Sequence, residues 1–212
     1  MAAPATRAIR SDGIRSRDAI LRTAASLATI RGLEALSLGD LAAEVGMSKS
    51  GMYAHFGSKE ELQLATVAAA KAIFEEVVLA PASDYPPGRD GLIALADLFM
   101  EHIRDRVFPG GCFFDATVPE LLAHPGPVLD AIMDVRRDFR QRFHDHLTVA
   151  AAAGELPAGV DLEQLEFDVM SGLSLGQDMF RAWGDGRAID LAERAVRLRL
   201  GVPPDYQPVR SR

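Results

Sequence analysis

Between Ser37 and Leu62 the chain reads SLGDLAAEVGMSKSGMYAHFGSKEEL, and few folds accommodate this order of caps, apolar spacings and glycines. Leu38, Leu41, Ala42 and Val45 fall at i, i+3, i+4 and i+7, so a short helix here has one apolar face. Ser37 stands just before it with Asp40 three residues on, which predicts an N-terminal cap. Gly46 predicts its end, because glycine takes the left-handed conformation of a tight stop. Ser48 predicts the cap of a second short helix from Lys49 to about His55. After Gly57, Ser58 and Glu61 form the Ser-x-x-Glu pattern that opens a third, longer helix. Two short helices around a tight glycine-containing turn make a helix-turn-helix. Such a unit lays its second helix in the major groove, with its first residues on base edges.

These residues resemble the TetR (tetracycline-repressor) family of transcriptional regulators. The family's pattern is matched by Ser37, by Gly46-Met47-Ser48-Lys49, by Tyr53-Ala54-His55-Phe56 and by Ser58-Lys59-Glu60-Glu61-Leu62. These anchors agree in order and spacing over roughly Ile14 to Leu64. Gly51 departs from it, standing where the family usually has Thr or Ala. The resemblance implies an all-α chain with an N-terminal three-helix DNA-binding domain and a C-terminal helical ligand-binding and dimerisation domain. It further implies a homodimeric transcriptional regulator, a repressor released from a palindromic operator by a small apolar or amphipathic ligand.

Composition agrees with a helical protein. Alternation over strand lengths is absent, aromatic content is 7%, and Pro and Gly cluster between apolar periodic runs. At 212 residues the chain is long enough for a real core. Its lone cysteine, Cys112, excludes an internal disulfide or a cysteine-based zinc finger and fits a reducing cytoplasm. The first twenty residues carry Arg7, Arg10, Arg15 and Arg17 with no apolar run behind them, so no signal peptide is expected. The net charge of −7 argues against DNA until it is placed along the chain. Residues 1–60 hold eight Lys/Arg against six Asp/Glu, and residues 61–212 hold fifteen against twenty-four. The acid therefore lies behind the reading head.

Three segments follow from the pattern: residues 1–12 as a disordered basic arm, 13–60 as the DNA-binding domain, and 61–212 as the regulatory and dimerisation domain. A first helix is predicted from about Ile14 to Arg31, ended by Gly32. The helix from Lys59 is predicted to reach about Leu79, and the run Pro81 to Gly88 is the clearest break. A helix that leaves the head towards such a break can carry motion between domains. Further helices are predicted over Arg89 to Arg106, within Cys112 to Ala123, from Pro127 to Ala153, from Leu162 to Trp183, and from Ala188 to Leu200.

DNA contacts are expected from Ser37, Ser48, Lys49, Ser50, Gly51, Tyr53, His55 and Lys59. Lys49, Ser50 and Gly51 open the second helix and reach towards base edges, where a lysine can donate to guanine. Met52 is expected to pack inward. Tyr53, His55 and Lys59 can each donate to a phosphate oxygen, and the helix start at Lys59 adds amides and a positive dipole end. Alternatives stay open at this point: Tyr53 as core, and Ser37 and Ser58 as caps alone. The acidic total and Gly51 also leave open a ligand-sensing or scaffold protein that does not bind an operator.

By the resemblance, the C-terminal domain holds the ligand, with Phe99, His102, Ile103, Cys112, Phe113, Phe114, Met133, Met170, Gln177 and Phe180 as candidate lining; plain core is the alternative. The last two helices are the candidate dimer interface, through Leu165, Val169, Gly172, Leu173, Gly176, Phe180, Trp183, Leu191, Ala195 and Leu198; core within the one chain is the alternative. Gly172 and Gly176 lie one turn apart and allow another helix to come close. No cofactor is expected. Neither is a metal, since His144 and His146 point to different faces of a helix and cannot chelate together. Gly172-Leu173-Ser174-Leu175-Gly176 matches a hydrolase nucleophile elbow, which requires a strand before the serine. Both flanks keep helical spacing, so no enzyme is expected.

Overall fold

A computed structural model describes residues 5–211, with side chains from Arg17 onward, and every element in it is helical. In chain order these are α1 (Ala5–Arg31), α2 (Leu38–Glu44), α3 (Lys49–His55), α4 (Lys59–Phe74), a π-helical turn (Glu75–Leu79) and α5 (Ala80–Ala82). Then follow α6 (Arg89–Arg104), α7 (Phe113–Leu121), α8 (Pro127–Ala152), α9 (Leu162–Trp183) and α10 (Arg187–Arg199). The fold is all-α. Its first helix begins at Ala5 rather than near Ile14, inside the stretch expected as an arm. The side chains of Arg7 and Arg10 lie outside the described residues.

Contacts divide the chain into two compact units, one of Met1–Ala72 with Phe108–Met133 and one of Ile73–Val107 with Asp134–Arg212. In the first, Ile20, Leu21 and Ala24 of α1 are buried with Leu33, Leu36, Leu38, Leu41, Met52, Phe56 and Leu62. Full burial of each large apolar side chain stabilises by about 1.5–3 kcal/mol, which is what fixes helices as short as α2 and α3. The segment after residue 107, assigned from sequence to the C-terminal domain, packs with this unit, and α7 lies against α1. Two backbone-level contacts join them. The Gly110 N–H donates to Thr29 Oγ1 at 3.0 Å. The Glu120 carboxylate accepts from the Leu33 N–H at 2.5 Å and the Glu34 N–H at 3.3 Å, just after Gly32 turns the chain at φ +90°.

In the second unit α9 packs along α10, and both lie on α6. The buried Arg197 guanidinium makes a two-pronged pair with Asp97 at 2.8 and 2.7 Å, and its Nε donates to the Tyr206 carbonyl at 2.8 Å. The pair ties α10 to α6 with both oxygens engaged, the arrangement that offsets the desolvation of a buried charge. Pro81 does not break the chain where expected. The π-turn before it gives the Ala80 N–H to the Glu75 carbonyl, and Pro81 then falls in the first turn of α5, where it needs no donor.

Candidate nucleic-acid interface

Local chemistry places both short helices. Ser37 Oγ accepts from the Asp40 N–H at 3.1 Å and donates to the Asp40 carboxylate at 2.7 Å. After Glu44, Val45 caps α2 and Gly46 turns at φ +70°, while the Met47 N–H returns to the Ala42 carbonyl at 2.8 Å. Ser48 accepts from the Gly51 N–H at 3.1 Å and so opens α3. The third cap differs in one link. Ser58 Oγ accepts from the Glu61 N–H, but the Glu61 carboxylate reaches the Gly57 N–H at 2.8 Å instead of that of Ser58.

Along α3 only Met52 is buried, and Phe56 just beyond it is fully buried. Ser48, Lys49 and Ser50 are exposed, Gly51 and His55 are half-buried, and Tyr53 is 58% exposed. Tyr53 is therefore not core. Ser37 is half-buried and Lys59 exposed. Lys49 runs back across α2, so that a β-carbon at Gly39 would lie 3.5 Å from its Cε and 3.8 Å from its Nζ. At Gly51 a β-carbon would come within 3.1 Å of Ser48 Oγ, so glycine there keeps the cap uncrowded. Lys59 Nζ donates to the Glu34 carbonyl at 2.6 Å and lies 3.4 Å from the Glu34 carboxylate. One residue absent from the sequence list belongs with this group. Arg17, from α1, donates through Nη1 to the His55 carbonyl at 2.6 Å.

The candidate ligand residues fall into separate groups. Phe99 and His102 of α6 meet Phe74 and Phe139, with centroids 5.2 to 6.4 Å apart, and Phe139 meets Phe143 at 5.1 Å. Ile103, Gln177 and Phe180 are buried in the same unit, with the Arg106 guanidinium 5.0 Å from the Phe180 ring centroid. Cys112, Phe113 and Phe114 are buried in the first unit, and Met133 is half-buried there. Met170 lines a groove of about 630 Å³ with Arg136, Arg140, Glu166 and Phe167. The aromatic partners Phe74 and Phe139 were absent from the candidate list, although Phe139 lies on the apolar stripe of α8. Burial lowers the pKa of His102 to about 4 against a small opposing pull from Asp105.

The candidate interface residues of α9 and α10 separate by exposure. Leu165, Val169, Leu173, Gly176 and Phe180 are buried within their own chain. A β-carbon at Gly176 would fall 2.6 Å from Ala192 Cβ and 3.2 Å from the Ala188 carbonyl oxygen. The close approach that Gly176 allows is thus to α10 of the same chain. The period marks a buried face but not which chain covers it. At Gly172 a β-carbon would meet only Ala195 Cβ, at 4.0 Å. What remains outside is Trp183 at 70%, Leu191 at 53% and Leu198 at 60%, with half-buried Ala195 between the leucines. Leu191, Ala195 and Leu198 follow at i, i+4 and i+7, one apolar stripe on α10. Phe167 and Leu175 of α9 are exposed as well.

Ser174 sits in the interior of α9, with helix on both sides, which is not the strand-to-helix corner of a nucleophile elbow. His144 Nδ1 meets Glu166 Oε2 at 3.0 Å, whereas His146 Nδ1 accepts from the Gly88 N–H at 3.3 Å, so the two imidazoles serve different neighbours. Among the described residues no helix is long and apolar enough to cross a membrane.

Comparison with known proteins matches both parts of the chain. Residues 20–66 match the family described as bacterial regulatory proteins, tetR family, and residues 88–196 match the tetracyclin repressor-like C-terminal domain. The HTH-type transcriptional repressor BepR of Brucella suis biovar 1 (strain 1330) is 26% identical over 159 residues, 71% of this chain and 73% of that repressor. A TetR transcriptional regulator from Chloroflexus aurantiacus J-10-FL has a similar fold, with a TM-score of 0.79 and 22% identity, covering 88% of this chain and 94% of its own. AibR, solved in complex with isovaleryl coenzyme A and operator DNA, gives a TM-score of 0.71 and 24% identity, covering 88% of this chain and 99% of its own.

Proposed function

This chain belongs to the TetR family of bacterial transcriptional regulators, and from that premise we propose that it is a homodimeric, operator-binding repressor that a small molecule releases from DNA. The observation that carries this reading is the side from which α3 is held. Its inward residue is Met52, and the residues that open it, Lys49 and Ser50, face solvent. A helix anchored from behind in this way can enter a major groove with its first turn on base edges. Residues 13–60 read the DNA, and residues 61–212 sense the ligand and pair the chains.

Ser37 and Ser48 at the caps of α2 and α3, Tyr53 and His55 in the second half of α3, and Lys59 at the start of α4 supply donors for phosphates, while Gly51 lets backbone approach the bases. Pairing runs through the stripe of Leu191, Ala195 and Leu198 with Trp183 beside it. It sets two reading heads about 34 Å apart, one helical turn of DNA. The ligand is apolar or amphipathic, and the aromatic cluster of Phe99 and His102 supports that class. That AibR carries isovaleryl coenzyme A and operator DNA together supports small-molecule control in this fold.

Salt dependence tests the reading. The logarithm of the duplex affinity is expected to fall linearly with the logarithm of salt concentration. Lys59→Ala is expected to weaken binding to every sequence alike and to reduce that slope by about 1. The Glu34 contact does not withdraw Lys59 from this role, because an exposed pair of this kind is worth only about 0–1 kcal/mol and yields to a phosphate. A wild-type affinity that does not respond to salt contradicts the reading. An unchanged slope in the variant removes Lys59 alone.

A further inference from the structure

The recognition helix does not hold its own far end. At seven residues α3 is below the length at which a helix is stable alone in water, so its direction is set by what grips it. Met52 grips the middle and Ser48 caps the start. At the far end the Phe56 N–H closes on the Met52 carbonyl at 3.2 Å, and the Phe56 ring is fully buried. The last carbonyl of the helix, that of His55, accepts from Arg17 Nη1 at 2.6 Å, and the same guanidinium lies 4.5 Å from the centroid of the Phe56 ring. Arg17 belongs to α1, 38 residues upstream of the group it caps. A cation there meets the negative end of the α3 dipole, and a planar guanidinium can donate at its edge while its face lies on a ring.

We propose that Arg17 is a positioning residue for operator recognition: it caps α3 from outside and sets the angle at which Lys49 and Ser50 meet the bases, without itself holding a phosphate. The proposal rests on the operator-binding reading above. Its consequence is a split between two kinds of binding. Base-edge contacts demand a fixed helix angle, whereas phosphate contacts on unrelated DNA tolerate a helix that rocks about Met52. Losing a hydrogen bond from a charged donor corresponds to about tenfold or more in operator affinity.

The test compares wild type with Arg17→Met and Arg17→Lys on a duplex selected by the wild type and on an unrelated duplex, each across a range of salt. Arg17→Met is expected to bind the selected duplex about tenfold more weakly or worse, with unrelated-duplex affinity and both salt slopes unchanged. Arg17→Lys keeps the charge but not the planar face, and is expected to recover only part of the loss. In the free protein, exchange of the Phe56 amide is expected to quicken about tenfold in Arg17→Met relative to that of Val45 in α2. Equal weakening on both duplexes, with a slope reduced by about 1 and full rescue by lysine, makes Arg17 a phosphate contact and overturns the proposal. Unchanged binding and exchange in Arg17→Met overturn it too. A wild type that selects no duplex instead defeats the operator reading, and the exchange comparison still decides whether Arg17 caps α3.

Discussion

Gly110→Ala is expected to destabilise the first unit by about 3 kcal/mol, at the upper end of what an inserted methyl group costs in a packed site. A β-carbon at Gly110 would fall 1.9 Å from the Thr29 carbonyl oxygen and 2.5 Å from the Thr29 carbonyl carbon. Both are backbone atoms of α1, so no side-chain rotation relieves the clash. The segment leading into α7 would have to lift away, and the hydrogen bond from the Gly110 N–H to Thr29 Oγ1 would go with it. Gly126 is the matched control, since a β-carbon there meets nothing within 4 Å. Gly126→Ala is expected to stay within about 0.5 kcal/mol of wild type. Urea unfolding of the two variants, read at the midpoint with the slope compared, decides the matter. Equal midpoints would mean that α7 and α1 are not held this closely.

His102 makes the second large effect a matter of pH. Burial lowers its pKa to about 4, beneath the ordinary value of 6.5, and it packs against the rings of Phe74 and Phe99. A base whose folded pKa is depressed gives its full stability above the unfolded pKa, and that contribution fades as pH falls towards the folded one. The window is therefore from about 6.5 down to about 4. Across it the unfolded chain takes up a proton that the folded chain refuses, which costs about 3 kcal/mol. His146, whose pKa burial also lowers, acts in the same direction. Comparison with His102→Leu isolates the first group. Wild type is expected to lose about 3 kcal/mol more than the variant between these pH values. Parallel curves of stability against pH for the two proteins would contradict a neutral, buried His102.

The features that the sequence predicts best are those decided within a few residues. Lys49–His55 is the helix expected from Ser48 and the residues after it, because the cap, the apolar residue and the stop are neighbours in the chain. Gly46 ends α2 for the same reason. The cap at Ser58 shows how far this reaches, since the pattern is right but the Glu61 carboxylate bonds one residue earlier, at Gly57. Pro81 misleads because a proline excludes only a continued i→i+4 ladder, and the π-turn before it supplies another.

Contacts across long separations were not legible. Arg17 could be seen as a basic residue near a head, but nothing local indicates a carbonyl 38 positions away. Glu120 likewise looked like one more acid in an acidic half, although it receives the Leu33 N–H across 87 positions. Gly110 follows Pro109 and precedes Gly111, a run that reads locally as a helix break, and its closeness to Thr29 is a second reason for glycine that only packing reveals. The helical period of α9 identified Leu165, Val169 and Leu173 as buried without saying whether a partner or the chain itself covers them. Exposure leaves Trp183, Leu191 and Leu198 outside, and these are the residues proposed for pairing.

Enrichment of bound fragments from a pool of random duplex DNA at low salt is the measurement that bears most directly on whether this protein reads an operator. A palindromic consensus, with half-sites whose centres lie about 10 base pairs or a multiple of that apart, is the predicted result. A pool recovered with no sequence preference would contradict it.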